Sequence, residues 1–252
     1  MTFNHINKIN ISAVSYANTF PFLLGIDDKL EGNDFQVSKD VPSVCAEKLI
    51  NNEADIGLIP VATIPLVPNA NIISKYCIGA IGAVETVLLM SKIPFENIKT
   101  VYLDSESRTS VKLVKVLAQN LWKKNWEYKT LPSDYETNED INSMVLIGDK
   151  TKTTTNFPYI TDLSKSWLEL TSKPFVFAAW VANKEIPQDF INRFNTALEY
   201  GINNIPNSIK KYGAEIKYDL NNYLNNCISY PLDKEKMDGL NLFLNYLHRI
   251  NN

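Results

Sequence analysis

Apolar positions in this chain cluster in short runs divided by longer amphipathic and polar stretches. Ile9 to Val14 alternates apolar and polar residues, which predicts a first strand. Ser15-Tyr16-Ala17-Asn18-Thr19-Phe20-Pro21 follows. Ser, Asn or Thr can cap a helix there, with Pro21 in the first turn and Phe22-Leu23-Leu24 continuing it. Val44 to Ile50 predicts a second helix. Ile56 to Val61 is a continuous apolar run that suits a buried parallel strand. Pro60 belongs near the carboxyl end of that strand, because proline cannot serve a central ladder. Tyr76 to Ala83 and Val84 to Met90 predict a pair of strands.

A second set of elements starts near Ser91-Lys92-Ile93-Pro94. Val101-Tyr102-Leu103 predicts a short strand, after which Asp104-Ser105-Glu106-Ser107-Arg108-Thr109-Ser110 opens a helix running to Trp122. Leu113, Val114, Leu117 and Leu121 fall on one face of it. Met144 to Asp149 predicts a strand ending in a turn, Lys150 to Asn156 a loop, and Asp162 to Leu170 a helix. Pro174 to Val181 is a strongly apolar strand whose aromatic residues, Phe175, Phe177 and Trp180, suit a core. Asn192 to Tyr200, Ile205 to Tyr212 and Lys234 to Ile250 predict closing helices. Strands alternating with helices favour an α/β architecture, and 252 residues allow one large or two modest domains.

Composition narrows the chemistry. Hydrophobic residues at 45% and charged residues at 21% suit a globular core. The net charge of -3 speaks against broad nucleic-acid binding, which needs a basic surface. No apolar run is long enough for a membrane span, and the first residues lack the apolar segment of a secretory signal, so a cytoplasmic protein is expected. Cys45, Cys77 and Cys227 form no ligand or disulfide pattern and are expected as buried hydrophobes. The only histidines, His5 and His248, lie near the termini, where a general base is not expected. Zinc centres and Ser-His-Asp or Cys-His sites are therefore disfavoured, and no metal or cofactor is expected. Carboxylates, hydroxyls, amides, Arg, Lys or the substrate itself must do any chemistry.

Three predicted strand ends carry polar clusters: Ser15 to Thr19, Ser107 to Ser110, and Gly148-Asp149. Ligands of α/β sheets sit beyond the carboxyl ends of strands. Amides, hydroxyls and a guanidinium at a helix start can cradle a carboxylate or phosphate. Read singly, each cluster could also be an ordinary cap or turn. Arg108 could pair with an acidic side chain instead of a ligand, and Asp149 could brace its loop. Converging from distant parts of the chain, the clusters point to a small anionic ligand.

Five segments in order carry a family resemblance. Ser15-Tyr16-Ala17-Asn18-Thr19-Phe20-Pro21, Asp55-Ile56-Gly57-Leu58-Ile59-Pro60-Val61, Ser107-Arg108-Thr109-Ser110-Val111, Ile147-Gly148-Asp149 and Pro174-Phe175-Val176-Phe177-Ala178-Ala179-Trp180-Val181 resemble the chorismate dehydratases, which open the futalosine route to menaquinone. The resemblance implies a two-lobed, type II periplasmic-binding-protein-like fold with the ligand cleft between the lobes. It places one lobe at residues 1–90 plus 182–252 and the second, inserted, at 91–181. The implied reaction removes water from chorismate to give 3-[(1-carboxyvinyl)oxy]benzoate.

That chemistry asks little of the protein. The ring proton beside the enolpyruvyl ether is vinylogously acidic, and loss of the neighbouring hydroxyl makes the ring aromatic. Holding two carboxylates and stabilising the dienolate is the main demand, and the substrate's own enolpyruvyl carboxylate is the expected base. By the resemblance, Asn18 and Thr86 take the catalytic positions, while Ser15, Ser107, Arg108, Thr109, Ser110 and Asp149 bind substrate. Thr86 stands where the family has a serine, in Gly82-Ala83-Val84-Glu85-Thr86-Val87, and Ala83 and Ile81 also depart from the family pattern. A monomer or homodimer is expected. Three other readings compete: a cytosolic binding protein for a small carboxylate, the sister lyase that forms 1,4-dihydroxy-6-naphthoate, and a structural adaptor. The sister lyase is expected to carry a Cys-Pro-Asn-Asp-like first loop, which Tyr16-Ala17-Asn18-Thr19 is not. The adaptor would leave the polar strand ends unexplained.

Overall fold

A computed structural model describes residues 8–250. His5 lies outside the described residues. Two mixed sheets divide the chain. The first is built from β1 (Ile9–Val14), β2 (Phe35–Asp40), β3 (Ile56–Pro60), β4 (Asn71–Ala80), β10 (Phe175–Ala182) and β11 (Ser229–Pro231), in the order β11-β4-β10-β3-β1-β2. The second holds β5 (Val87–Ser91), β6 (Thr100–Leu103), β7 (Glu127–Thr130), β8 (Ser143–Ile147) and β9 (Tyr159–Asp162), in the order β7-β6-β8-β5-β9.

Helices α1 (Phe20–Lys29) and α2 (Pro42–Ile50) are the crossovers that keep β1, β2 and β3 parallel. The second lobe carries α3 (Arg108–Leu117), α4 (Lys150–Thr153) and α5 (Leu163–Thr171). Helices α6 (Gln188–Ile202), α7 (Ile205–Tyr212), α8 (Leu220–Asn222) and α9 (Lys234–Ile250) close the first lobe. Strand β10 runs antiparallel between β3 and β4, and seven of its eight residues are buried, so both its edges and both its faces are covered. That explains its near-continuous apolar sequence, and Trp167, Phe175 and Phe243 pack edge-on beside it.

Three sequence expectations change here. Val87–Ser91 already pairs with β8, and Phe175–Ala182 has already returned to the first sheet. The lobes therefore part at the crossings 81–86 and 172–174, earlier than the expected 90 and 181. The two apolar runs around Ala83 are both strands but do not pair with each other, because the chain leaves one sheet for the other between them. The predicted loop at Lys150 to Asn156 contains the short helix α4. Pro60 ends β3 as expected. All three cysteines are buried and free, as the composition suggested. His248 lies exposed on α9. Among the described residues no helix is long and apolar enough to cross a membrane, and no cluster of metal-ligating side chains forms.

Candidate functional site

A cleft between the sheets gathers the polar strand ends. It encloses about 610 Å³ of space including its open mouth. Val14, Leu58, Ile78 and Phe177 form much of its apolar wall. Tyr16, Asn18 and Thr19 enter after β1, Thr86 at the start of β5, and Ser107, Thr109 and Ser110 at the start of α3. Gly148, after β8, closes one side and packs beneath the Tyr16 ring. No Asp, Glu, Lys, Arg or His lines the cleft among the described residues.

Each polar wall is set by local structure. Ala17–Thr19 forms a 3-10 turn before α1. No side chain caps α1 as the sequence suggested; the Thr19 hydroxyl turns back to the carbonyls of Val14 and Tyr16 at 2.6 and 2.7 Å, which rigidifies the turn that presents Asn18. Ser107 is the N-cap of α3, its hydroxyl accepting from the Ser110 amide at 3.1 Å. Helix geometry leaves the amides of Arg108 and Thr109 without intrahelical acceptors. The Thr109 hydroxyl donates to the Phe177 carbonyl at 3.1 Å and accepts from the Ala62 amide at 3.3 Å, tying the second lobe to the first. Its backbone amide, more than its hydroxyl, is left to a ligand.

Thr86 owes its place to a knot at the crossing. The amides of Val84 and Glu85 donate to one oxygen of Asp162 at 2.9 and 2.7 Å. Those of Ser164 and Lys165 donate to the other at 2.9 and 3.0 Å. Glu85 takes φ +62° and Gly82 φ +110°, so consecutive amides of the crossing face one anion, the protein's own carboxylate. Asp162→Ala is expected to cost about 2 kcal/mol, since it removes the α5 cap and both anchors of the crossing; urea unfolding measures it.

Three expected binding residues stand outside the lining. Ser15 is exposed, its hydroxyl directed at the Asp40 carbonyl at 3.4 Å. Arg108 points out of the cleft and pairs with Glu47 at 2.6 Å. Asp149 accepts from the Tyr218 hydroxyl at 2.5 Å. The last two contacts join the lobes, as does the Tyr16 hydroxyl, which donates to Glu106 at 2.9 Å. Lys150 completes that cluster, 2.8 Å from Asp104 and 3.1 Å from Glu106. Burial and the bond to Glu106 push the Tyr16 phenol well above its ordinary range. Asn18, Thr86, Ser107, Thr109 and Ser110 do share the one cleft. Of the three strand aromatics, Phe175 and Trp180 are core, while Phe177 reaches the cleft.

Sequence reasoning missed Tyr223. Its hydroxyl lies 2.8 Å from Thr86 Oγ1, inside the protein behind the cleft wall.

The family model described as menaquinone biosynthesis matches residues 9–249. The chain belongs to that menaquinone biosynthesis family. A chorismate dehydratase from Thermus thermophilus is 26% identical over 191 residues, covering 68% of this chain and 69% of that protein. A solved protein from Archaeoglobus fulgidus superposes with a TM-score of 0.78 at 15% identity, covering 98% of this chain and 99% of that one. The Candida albicans protein described as having the generic periplasmic binding protein fold gives 0.61 at 10% identity, covering 97% and 94%. The periplasmic aliphatic sulphonate binding protein of Escherichia coli gives 0.61 at 11% identity, covering 97% and 88%. The two-lobed periplasmic-binding-protein-like fold expected from the sequence is therefore the fold of this family member.

Proposed function

We propose that this member of the family is a chorismate dehydratase, a hydro-lyase that acts in the cytoplasm and converts chorismate to 3-[(1-carboxyvinyl)oxy]benzoate and water. The observation that carries the reading is an apolar cleft whose polar contacts are all neutral groups, brought in from both lobes. Such a site suits an apolar ring bearing two carboxylates. One carboxylate is assigned to the start of α3, where the Ser107 and Ser110 hydroxyls and the amides of Arg108 and Thr109 converge with the positive end of the helix dipole. Asn18 and Thr86 serve the other end of the ring, where an amide and a hydroxyl can stabilise charge that develops as the proton leaves.

The identity of the base follows from what the lining can offer. Among the described residues Tyr16 is the one titratable side chain of the lining, and burial together with Glu106 keeps that phenol protonated. The proton on the ether-bearing ring carbon therefore goes to the substrate's enolpyruvyl carboxylate, the electron pair moves through the dienolate, and the neighbouring hydroxyl departs with a proton as water. On this reading Asp149→Asn and Glu85→Gln keep kcat within about fivefold of the parent, because loss of a rim contact is worth ~1 kcal/mol or less. A hundredfold loss of kcat in either, with KM and melting temperature unchanged, would restore an enzyme carboxylate as the base.

The direct test is incubation of the purified protein with chorismate, without added metal or nucleotide, followed by chromatography. Accumulation of the aromatic enol ether is expected. Tight binding of chorismate without turnover would instead make the protein a binding protein for small carboxylates, and no binding would remove chorismate altogether.

A further inference from the structure

The contact that sets the Asn18 turn against the start of α3 deepens the proposed reading and rests on it. The polar walls of the cleft follow the carboxyl ends of β1, β6 and β8, and one polar cluster joins all three. Tyr16 follows β1 and stands two residues before Asn18, as the cap residue of the 3-10 turn. Glu106 follows β6 and directly precedes Ser107, the N-cap of α3. Lys150 follows β8 and begins α4. The Tyr16 hydroxyl donates to Glu106 Oε2 at 2.9 Å, and Lys150 Nζ lies 3.1 Å from that same oxygen. Lys150 also holds Asp104 at 2.8 Å, and Asp104 accepts from the Glu106 amide at 3.1 Å.

Chemistry fixes the direction of the bond between the lobes. A carboxylate has no proton to give, so the phenol is the donor. Burial works against the Glu106 charge, but the bonds from Tyr16 and Lys150 outweigh it and hold the carboxyl below its ordinary range. A hydrogen bond to an ionised acceptor is roughly twice as strong as one between neutral groups. Thr109, Arg108 and Asp149 also join the lobes, but none of their contacts ends on the Asn18 turn. Thr109 binds Phe177 and Ala62, Asp149 meets Tyr218, and Arg108 meets Glu47 between two side chains that face solvent. Tyr16 and Glu106 tie the turn that bears Asn18 to the helix start that is assigned a carboxylate.

We propose that Tyr16 is a positioning residue whose bond to Glu106 fixes Asn18 against the start of α3, so that a substrate carboxylate at the helix and the reacting edge of the ring at Asn18 are held together. The reaction needs both ends engaged at once, and misplacing a group by about 1 Å can cost on the order of 10²-fold in rate. Tyr16 acts through Asn18 and takes no part in the proton transfer. Phenylalanine keeps the ring, which packs over Gly148, and removes only the hydroxyl.

Tyr16→Phe is expected to lower kcat for chorismate about tenfold with KM within about threefold, because α3 and its amides stay intact while Asn18 is displaced. In an Asn18→Ala background the same substitution should change kcat less than about twofold, since the group it positions is gone. An equal loss in both backgrounds would mark a contribution to folding alone and sink the inference, as would an unchanged kcat in Tyr16→Phe. Glu106→Leu should reproduce the effect from the other lobe, and it reads the same bond should Tyr16→Phe fail to fold. The two combined should be no slower than the slower single. Glu106→Gln keeps an acceptor oxygen for the phenol and should hold kcat within about threefold of the parent. A Gln variant as slow as the Leu variant would overturn the role of this bond. A measurement free of substrate separates the inference from the dehydratase reading. In the ligand-free protein, Glu106→Leu is expected to shift the backbone amide resonances of Ala17, Asn18 and Thr19 on the opposite lobe. Unmoved resonances would overturn the tie. Shifted resonances in a protein that does not turn chorismate over would overturn the dehydratase reading and leave the tie between the lobes standing.

Discussion

Asn18→Ala is expected to fold normally and to lose about 10²–10³-fold in kcat for chorismate dehydration, the effect of removing one donor from a preorganised site that stabilises developing charge. The fold is insulated because the turn does not depend on this side chain. Thr19 holds the turn through its hydroxyl, and the Tyr230 hydroxyl donates to the Asn18 carbonyl at 3.2 Å. The loss falls on kcat more than on KM, since charge spreads into the dienolate only as the ring proton leaves, while both carboxylates are already bound in the ground state. Circular dichroism and thermal melting should match the parent within ~2 °C, less than ~1 kcal/mol for a chain of this size. Activity within threefold of the parent would remove Asn18 from the mechanism.

How far this site could be read from the chain depends on distance along it. The turn after β1, the start of α3 and the end of β8 each announce themselves locally, as hydroxyl or glycine residues following an apolar strand, and all three reach the cleft. What the charged residues near them do is decided by partners far away. Arg108 meets Glu47, 61 residues off, and Asp149 meets Tyr218, 69 residues off. Thr86 meets Tyr223 across 137 residues. No local pattern encodes such pairings, so a guanidinium that could face a ligand or a carboxylate stays ambiguous until the lobes are assembled.

The strands follow a similar rule. Four were not legible: β2 (Phe35–Asp40), β7 (Glu127–Thr130), β9 (Tyr159–Asp162) and β11 (Ser229–Pro231). They are the four edge strands of the two sheets. An edge strand is covered on fewer sides and keeps charged and polar residues that discourage pairing with other chains, as in Glu127-Tyr128-Lys129-Thr130. The central strands β3 and β8 are buried at every position and stand out as apolar runs. Hydropathy thus marks the middle of each sheet, and the edges emerge only from hydrogen bonding.

Gly201→Ala is expected to destabilise the protein by at least ~3 kcal/mol, the upper part of the range for overpacking a tight interface. Helices α1 and α6 meet backbone to backbone. A Cβ on Gly201 would lie 1.7 Å from the Pro21 carbonyl oxygen and 2.9 Å from the Gly25 amide nitrogen, and one on Gly25 would lie 1.9 Å from the Ala197 carbonyl oxygen. These obstacles are main-chain atoms of two helices, so no rotamer change relieves them and one helix must move. Both helices are anchored on the core through Phe22, Leu23, Phe194 and Leu198, which makes that movement costly. The melting temperature should fall by roughly 6–12 °C, at ~2–4 °C per kcal/mol for a chain of this length. The functional consequence comes through α1, whose first residues follow directly on the turn bearing Asn18. Displacing α1 drags that amide away from Thr86, so folded Gly201→Ala protein should also show a lower kcat at temperatures well below its melting point. A melting temperature within 1 °C of the parent would mean that the two helices are not in main-chain contact.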